Sequence, residues 1–337
     1  MTPAGIEPLR LESEAIAIDV LPGNGADIYA IIDKATGVDV MFKTPWGLRD
    51  PRGLPPRADS EVAWLERYGG GWQVLCPNAG DEQTVAGVTR GYHGEASILP
   101  WTVHRADRSC VEMSVELFTA PITMHRVIDV NGPTVRIVES LRNRSESPTT
   151  AVWGHHPAFG LPLTGPACRI DTGARAVLAD ICAPGTELVA GSKHTWPIAT
   201  TVAGEPLDLS RAPAAGDRRE IMAYLSDFAA PFYALSNHEL GFGVGMRWSA
   251  DVFPYAWLWQ EIHCSQGFPW FGRAHAIAIE PSTVVGGHGE EALRRRGPGV
   301  VLEPGATVEA TIEVARYDVP APVEATGIDP GGNVHFA

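Results

Sequence analysis

Glu280, His156 and His93 are the side chains of this chain best suited to move protons between oxygen atoms. Glu280 closes the apolar run Ala276-Ile277-Ala278-Ile279 and stands directly before Pro281. A carboxylate set half inside a sheet is costly unless it is paired or used in chemistry. Two upstream segments offer it partners: Gly91-Tyr92-His93-Gly94-Glu95 and Trp153-Gly154-His155-His156-Pro157-Ala158-Phe159-Gly160. An imidazole titrates near pH ~6.5, so a glutamate with separated histidines can take and give protons near neutrality. Each residue alone has a plainer reading. A glutamate before proline is commonly a solvated strand end, and His-His-Pro is commonly a satisfied turn, which is the reading kept for His155.

These side chains need a scaffold, and the chain reads as short strands. Val111-Glu112-Met113-Ser114-Val115-Glu116-Leu117-Phe118 places Val111, Met113, Val115 and Leu117 on one face. Residues 12–20, 26–33, 123–130, 134–141, 149–153 and 307–314 follow the same habit. Turn signals such as Asn131-Gly132-Pro133 and Pro304-Gly305 separate them. Ala276–Ile279 reads as a buried strand that Pro281 should end. Helical period is confined to about one turn near 61–67, and residues 43–60 and 199–217 read as long loops. Many short strands with Pro/Gly-rich links predict an all-β sandwich. One domain is expected over 1–318, with a loosely held Pro/Gly-rich extension over 319–337.

Bulk composition narrows the partners. A hydrophobic fraction of 45% is enough for a large core, and a net charge of −14 with no basic stripe argues against nucleic acid and anionic membranes. The start of the chain has no charged-then-apolar signal pattern, and no apolar run approaches ~18 residues, so a cytoplasmic protein is expected. Five cysteines, widely spread and without a Cys-x-x-Cys, read as reduced thiols rather than a disulfide framework or a zinc knuckle. Gly286-Gly287-His288-Gly289-Glu290 lacks the lysine and helix of a phosphate loop and reads as a flexible loop.

At the three chemical segments the chain resembles the aldose 1-epimerase (galactose mutarotase-like) family. His155-His156-Pro157-Ala158-Phe159 is similar to the family's Asn-His-x-x-Phe, which puts His156 at the general-acid histidine. Ala278-Ile279-Glu280-Pro281 resembles the segment with the catalytic glutamate. Gly70-Gly71-Trp72 through Leu75-Cys76-Pro77-Asn78, then His93-Gly94, resembles the first substrate-facing stretch, with His93 as the second site histidine. The arginine of the hexose-phosphate branch's His-Gly-Phe-Ala-Arg is absent, since the chain reads His93-Gly94-Glu95-Ala96-Ser97. The resemblance implies a β-supersandwich that acts on a small-molecule sugar without metal or other cofactor, as a monomer or homodimer. It also implies mutarotation: Glu280 takes the C1 hydroxyl proton, His156 gives one to the ring oxygen, and His93 assists.

The binding surface is expected to be aromatic and polar. Ten tryptophans are present, with Trp72 and Trp259 assigned to the sugar beside Asn78. Trp257-Leu258-Trp259-Gln260-Glu261 would aim Trp257, Trp259 and Glu261 to one face and Gln260 to the other; both Gln260 and Glu261 are candidates for ligand contact. Arg273, shortly before Glu280, would anchor an anionic substituent. Competing readings are a sugar-binding protein without catalysis, and a glycoside hydrolase pairing Glu280 with Glu261 or Glu95. A metal-dependent isomerase ranks last, for want of ligand spacing.

Overall fold

The computed structural model describes residues 6–183, 185–319 and 321–337, so residues 1–5, Pro184 and Pro320 lie outside the described residues. The alternating runs become antiparallel strands whose pairing follows one path. Cys110–Glu116 pairs with Ile122–Asn131, then come Thr134–Asn143, Thr307–Asp318 and Phe242–Trp248. The 19-residue strand Arg219–Asn237 carries the path onward. Its C-terminal half bonds Phe242–Trp248 and its N-terminal half bonds Tyr255–Ile262. From there the path runs through His275–Ser282, Gly154–Phe159, Trp72–Leu75, Asp27–Asp33, Ile16–Leu21 and Leu9–Glu12. Cys168–Ala179 lies along the long strand's other edge. The result is the expected single-domain, all-β supersandwich.

Alternation along the strands divides core from site. Val111, Met113, Val115 and Leu117 all face the main core, as their spacing requires. Burial of such side chains stabilises by roughly 1.5–3 kcal/mol each. In His275–Ser282, Ile277 and Ile279 join that core, whereas Ala276 and Ala278 join a second cluster with Met222 and Trp257. In Tyr255–Ile262, Leu258 faces the main core while Trp257 and Trp259 face the second cluster. Period two thus gives each of these strands one face for stability and one for chemistry.

Four local expectations are corrected. The strand does not end at Pro281 but runs to Ser282, because the ladder to Gly154–Phe159 skips a stretch. Pairs form at Gly154↔Ser282 and Ala158↔Ala278, and the gap between them contains Pro157 and Pro281, which have no N–H to give. Residues 199–217 are not wholly loop: Ile198–Thr200 and Pro206–Asp208 form a short antiparallel pair. Glu290–Arg295 is a helix, with Glu290 and Glu291 in its first turn and Arg294 and Arg295 in its last, a charge order that suits the helix dipole. The C-terminal segment is packed rather than loosely held. Ala325–Ile328 and Val334–Phe336 form a hairpin, and Ala325 shares a small apolar cluster with Phe232, Ala234, Tyr317 and Val319.

Candidate active site

The second cluster opens into a cavity of about 230 Å³, a size suited to one monosaccharide-scale ligand. Its wall includes Glu280, His156 and His93. Glu280 comes from His275–Ser282, and His156 comes from Gly154–Phe159 on the far side of the proline gap. His156 Nε2 lies 3.8 Å from Glu280 Oε1. Its Nδ1 is buried without a hydrogen-bond partner. The ring centroids of His93 and His156 are 5.6 Å apart. Strand alternation sends His155 the other way, where Trp72 Nε1–H donates to its Nδ1 at 3.1 Å and its Nε2 meets Glu139 Oε2 at 3.2 Å.

Burial sets the protonation of the empty site. It pushes the Glu280 carboxyl well above its ordinary range, and it pushes the His156 imidazole down to about 4. His93 is driven well below its ordinary value by burial, with His156 and His288 adding to the effect. Both shifts favour the uncharged forms, a protonated Glu280 carboxyl beside a neutral His156 ring. This differs from the expectation of an ionised Glu280 beside a partly protonated His156, which left desolvation out of account.

His93 is fixed by a reciprocal clamp. Gly80 N–H donates to His93 Nδ1 at 2.9 Å, and His93 N–H donates to Gly80 O at 2.9 Å. The clamp leaves Nε2 to carry the proton of the neutral ring. His93 adopts φ 56°, in the left-handed region that costs most residues energy and marks a conformation held by its surroundings. Gly80 itself has φ +75°, and an added Cβ would meet Gly287 O at 2.1 Å. Gly80→Ala is therefore expected to cost about 1–3 kcal/mol in thermal or denaturant unfolding. Because Gly287 precedes His288, the variant should also shift both histidine ring signals in NMR spectra; unchanged signals would show that this contact positions neither.

Residues that sequence reading passed over complete the wall. The short helix Ser60–Leu65, capped by Asp59, delivers Trp64, and the chain following it delivers Tyr68. Tyr92, Trp257 and Trp270 add aromatic faces, while Glu61, Glu220 and His288 add polar ones. His288, read from sequence as part of a flexible loop, is held in place: its Nδ1 is 3.7 Å from Asp180 Oδ2. The Tyr224 hydroxyl donates to that same oxygen and accepts from Gly287 N–H at 3.0 Å. The only sequence signal for this position was His288 in a glycine-rich turn. Trp64 and Tyr68 had no signal beyond their one helical turn.

Several expected ligand contacts lie elsewhere. Trp72 is a core residue, tied to His155 on the side of the sheet away from the cavity. The Asn78 amide donates to Asp81 O and Gly91 O and accepts from Arg296, so it braces a loop. Gln260 is fully buried on the core-facing side of its strand, as alternation places it. Glu261 accepts from Cys264 N–H and Ser265 N–H, and it positions Ser265 rather than joining the wall. Arg273 is exposed and outside the wall: six residues of largely extended chain separate it from Glu280, about 20 Å. Glu95, the other carboxylate a hydrolase would need, accepts from Phe118 N–H and Thr119 N–H. Trp259 does line the cavity, with its ring centroid 5.7 Å from that of His156.

Among the described residues, no group of three or more His, Cys, Asp or Glu side chains is arranged to hold a metal ion. No helix among the described residues is long and apolar enough to cross a membrane. All five cysteines are free.

The family described as "Domain of unknown function (DUF4432)" matches residues 3–315. The chain belongs to the DUF4432 family. A sequence search of curated proteins gives no match. Among solved structures, this DUF4432 protein is similar to the Slr1438 protein from Synechocystis sp. PCC 6803, with a TM-score of 0.67 and 16% identity, covering 95% of this chain and 98% of that one. It is similar to a galactose mutarotase related enzyme from Lactobacillus acidophilus, with a TM-score of 0.65 and 16% identity over 92% and 97% of the two chains. It is also similar to a galactose mutarotase-like protein from Lactobacillus casei ATCC 334, with a TM-score of 0.65 and 15% identity over 92% and 100%. The DUF4432 chain therefore has the galactose mutarotase-like fold.

Proposed function

We propose that the protein is an aldose 1-epimerase-like isomerase that interconverts the α and β anomers of a monosaccharide or a derivative. The observation that carries this reading is the Glu280–His156 pair, 3.8 Å apart within an aromatic cavity of monosaccharide size. Ring opening needs a base at the C1 hydroxyl and an acid at the ring oxygen, each within hydrogen-bond reach. Glu280 takes the C1 proton, His156 gives one to the ring oxygen, and the aldehyde carbon turns before closure reverses both transfers.

The empty site's arrangement, with the proton on Glu280 and His156 neutral, equals the arrangement left after ring opening. Going from the cyclic sugar, substrate hydroxyls that donate to Glu280 favour its ionised form and return the proton to His156. Both arrangements contain one proton, so the pair works over the pH range in which that count holds. His93, holding its proton on Nε2, is a donor to a neighbouring sugar oxygen.

This gives a pH profile. Activity is lost as pH falls through about 4, where His156 takes up a second proton. It is lost again as pH rises past the elevated Glu280 value, where the last proton leaves. Between these limits kcat/KM is expected to be flat across the ordinary histidine range near ~6.5. The check is the exchange rate measured by NMR after subtraction of the buffer-catalysed rate. A low-pH limb near pH ~6.5 instead of about 4 would contradict the burial of His156.

The test of the function itself is one-dimensional exchange NMR of anomer interconversion over a panel of aldoses. Acceleration of at least one sugar by the protein supports the reading. Binding of sugars with no acceleration of any would replace it with a sugar-binding role.

A further inference from the structure

The cavity wall carries three carboxylates, Glu61, Glu220 and Glu280, and no lysine or arginine among the described residues that line it. The first two stand among others of their own sign. Burial, Asp81 and Asp59 hold Glu61 above the ordinary carboxylate range. Burial and Glu261, with Glu187 contributing, do the same for Glu220. The Ser265 hydroxyl donates to Glu220 at 3.1 Å, which fixes the carboxylate without neutralising it. Of the wall's histidines, burial drives His93 and His156 toward the neutral form, and His288 faces Asp180.

Such a cavity repels a phosphate, sulfonate or carboxylate and attracts a cation. Its walls favour the same occupant. Trp64, Tyr92, Trp257, Trp259 and Trp270 present aromatic faces, which attract ammonium groups. The Tyr68 hydroxyl is buried in the wall without a hydrogen-bond partner, a position suited to a polar group of the ligand.

We infer that the sugar taken by this site is an amine-bearing aldose, its ammonium group drawn to the acidic lining that Glu61 and Glu220 supply beside the aromatic wall. The inference rests on the isomerase reading for its chemistry but not for its binding. Ring opening and closure leave the amine untouched, so the ammonium serves recognition alone.

The test compares 2-amino-2-deoxy and 6-amino-6-deoxy hexoses with their N-acetyl forms, the parent hexoses and hexose 6-phosphates. The readouts are exchange NMR for kcat/KM and titration calorimetry for affinity. The free amines are expected to exceed their parents by about tenfold in kcat/KM. Acetylation should remove the advantage, and added salt should reduce it. Glu61→Gln and Glu220→Gln, which keep side-chain shape, should each lower the amine-to-parent ratio about tenfold. Parents or phosphates turned over as well as the amines would overturn the inference while leaving the isomerase reading intact. If no sugar is accelerated yet amines bind, and bind more weakly to Glu220→Gln, the inference holds and the isomerase reading falls. Amines neither bound nor accelerated would overturn the inference, and the isomerase reading falls with it only if no other sugar is accelerated.

Discussion

Glu280→Gln protein is expected to bind the sugar that the wild type turns over and to interconvert its anomers about 10²–10⁴-fold more slowly. Glutamine keeps the shape of the side chain and the polarity of its tip but cannot exchange a proton near neutrality. The pair with His156, 3.8 Å away, then has one member that titrates, and ring opening lacks either its base or its acid. Folding should not suffer, because burial already favours an uncharged group at this position. Tm for the variant is therefore expected to equal or exceed that of the wild type. The combination of retained binding, retained Tm and lost rate separates chemistry from scaffolding. A variant with unchanged rate would remove Glu280 from the mechanism.

The largest stability effect is expected behind the site. Arg126 and Glu139 form an ion pair with both side chains only 2% exposed. Arg126 Nη1–H also donates to Ala26 O at 2.7 Å, and Trp153 Nε1–H donates to Glu139 Oε2 at 3.2 Å. Burial alone would raise the Glu139 carboxyl, but Arg126 and His155 outweigh it and hold it down to about 2. Arg126→Met leaves that carboxylate buried without its cation, which costs about 3–5 kcal/mol. Denaturant unfolding measures this, and Arg126→Met/Glu139→Met should recover much of the loss, because removing both charges leaves none uncompensated. A loss under ~1 kcal/mol for the single variant would show water reaching the pair.

The same pair gives a sign for acid stability. A carboxylate depressed in the folded state contributes stability above its unfolded value near 4.5, and the contribution drains away as pH falls toward about 2.

The sheet architecture was legible because alternation is a local signal. Val111 to Leu117 reads the same in sequence and in space. His93, His156 and Glu280 were legible through motifs, and the structure brings all three into one cavity wall. The rest of that wall was not legible, because it is assembled from segments with no shared period. Trp64 and Tyr68 arrive on and after a single helical turn, Glu220 on a long strand, and His288 on a glycine turn pinned by Asp180. Arg273 misled for the converse reason: nearness along an extended chain is distance in space. Gln260 misled through facing, since a strand residue adjacent to Trp259 points away from the cavity that Trp259 lines.

The parity of His275–Ser282 also has a consequence for how the protein can change. Ile277 and Ile279 are bound into the main core, whereas Ala276 and Ala278 lie beneath the aromatic lining, with Ala278 directly across from Trp259. Directed evolution can therefore vary Ala276 and Ala278 and reshape the ligand space while leaving Ile277, Ile279 and Glu280 alone. New substrates would become reachable by side-chain volume, with the proton-transfer pair kept in place.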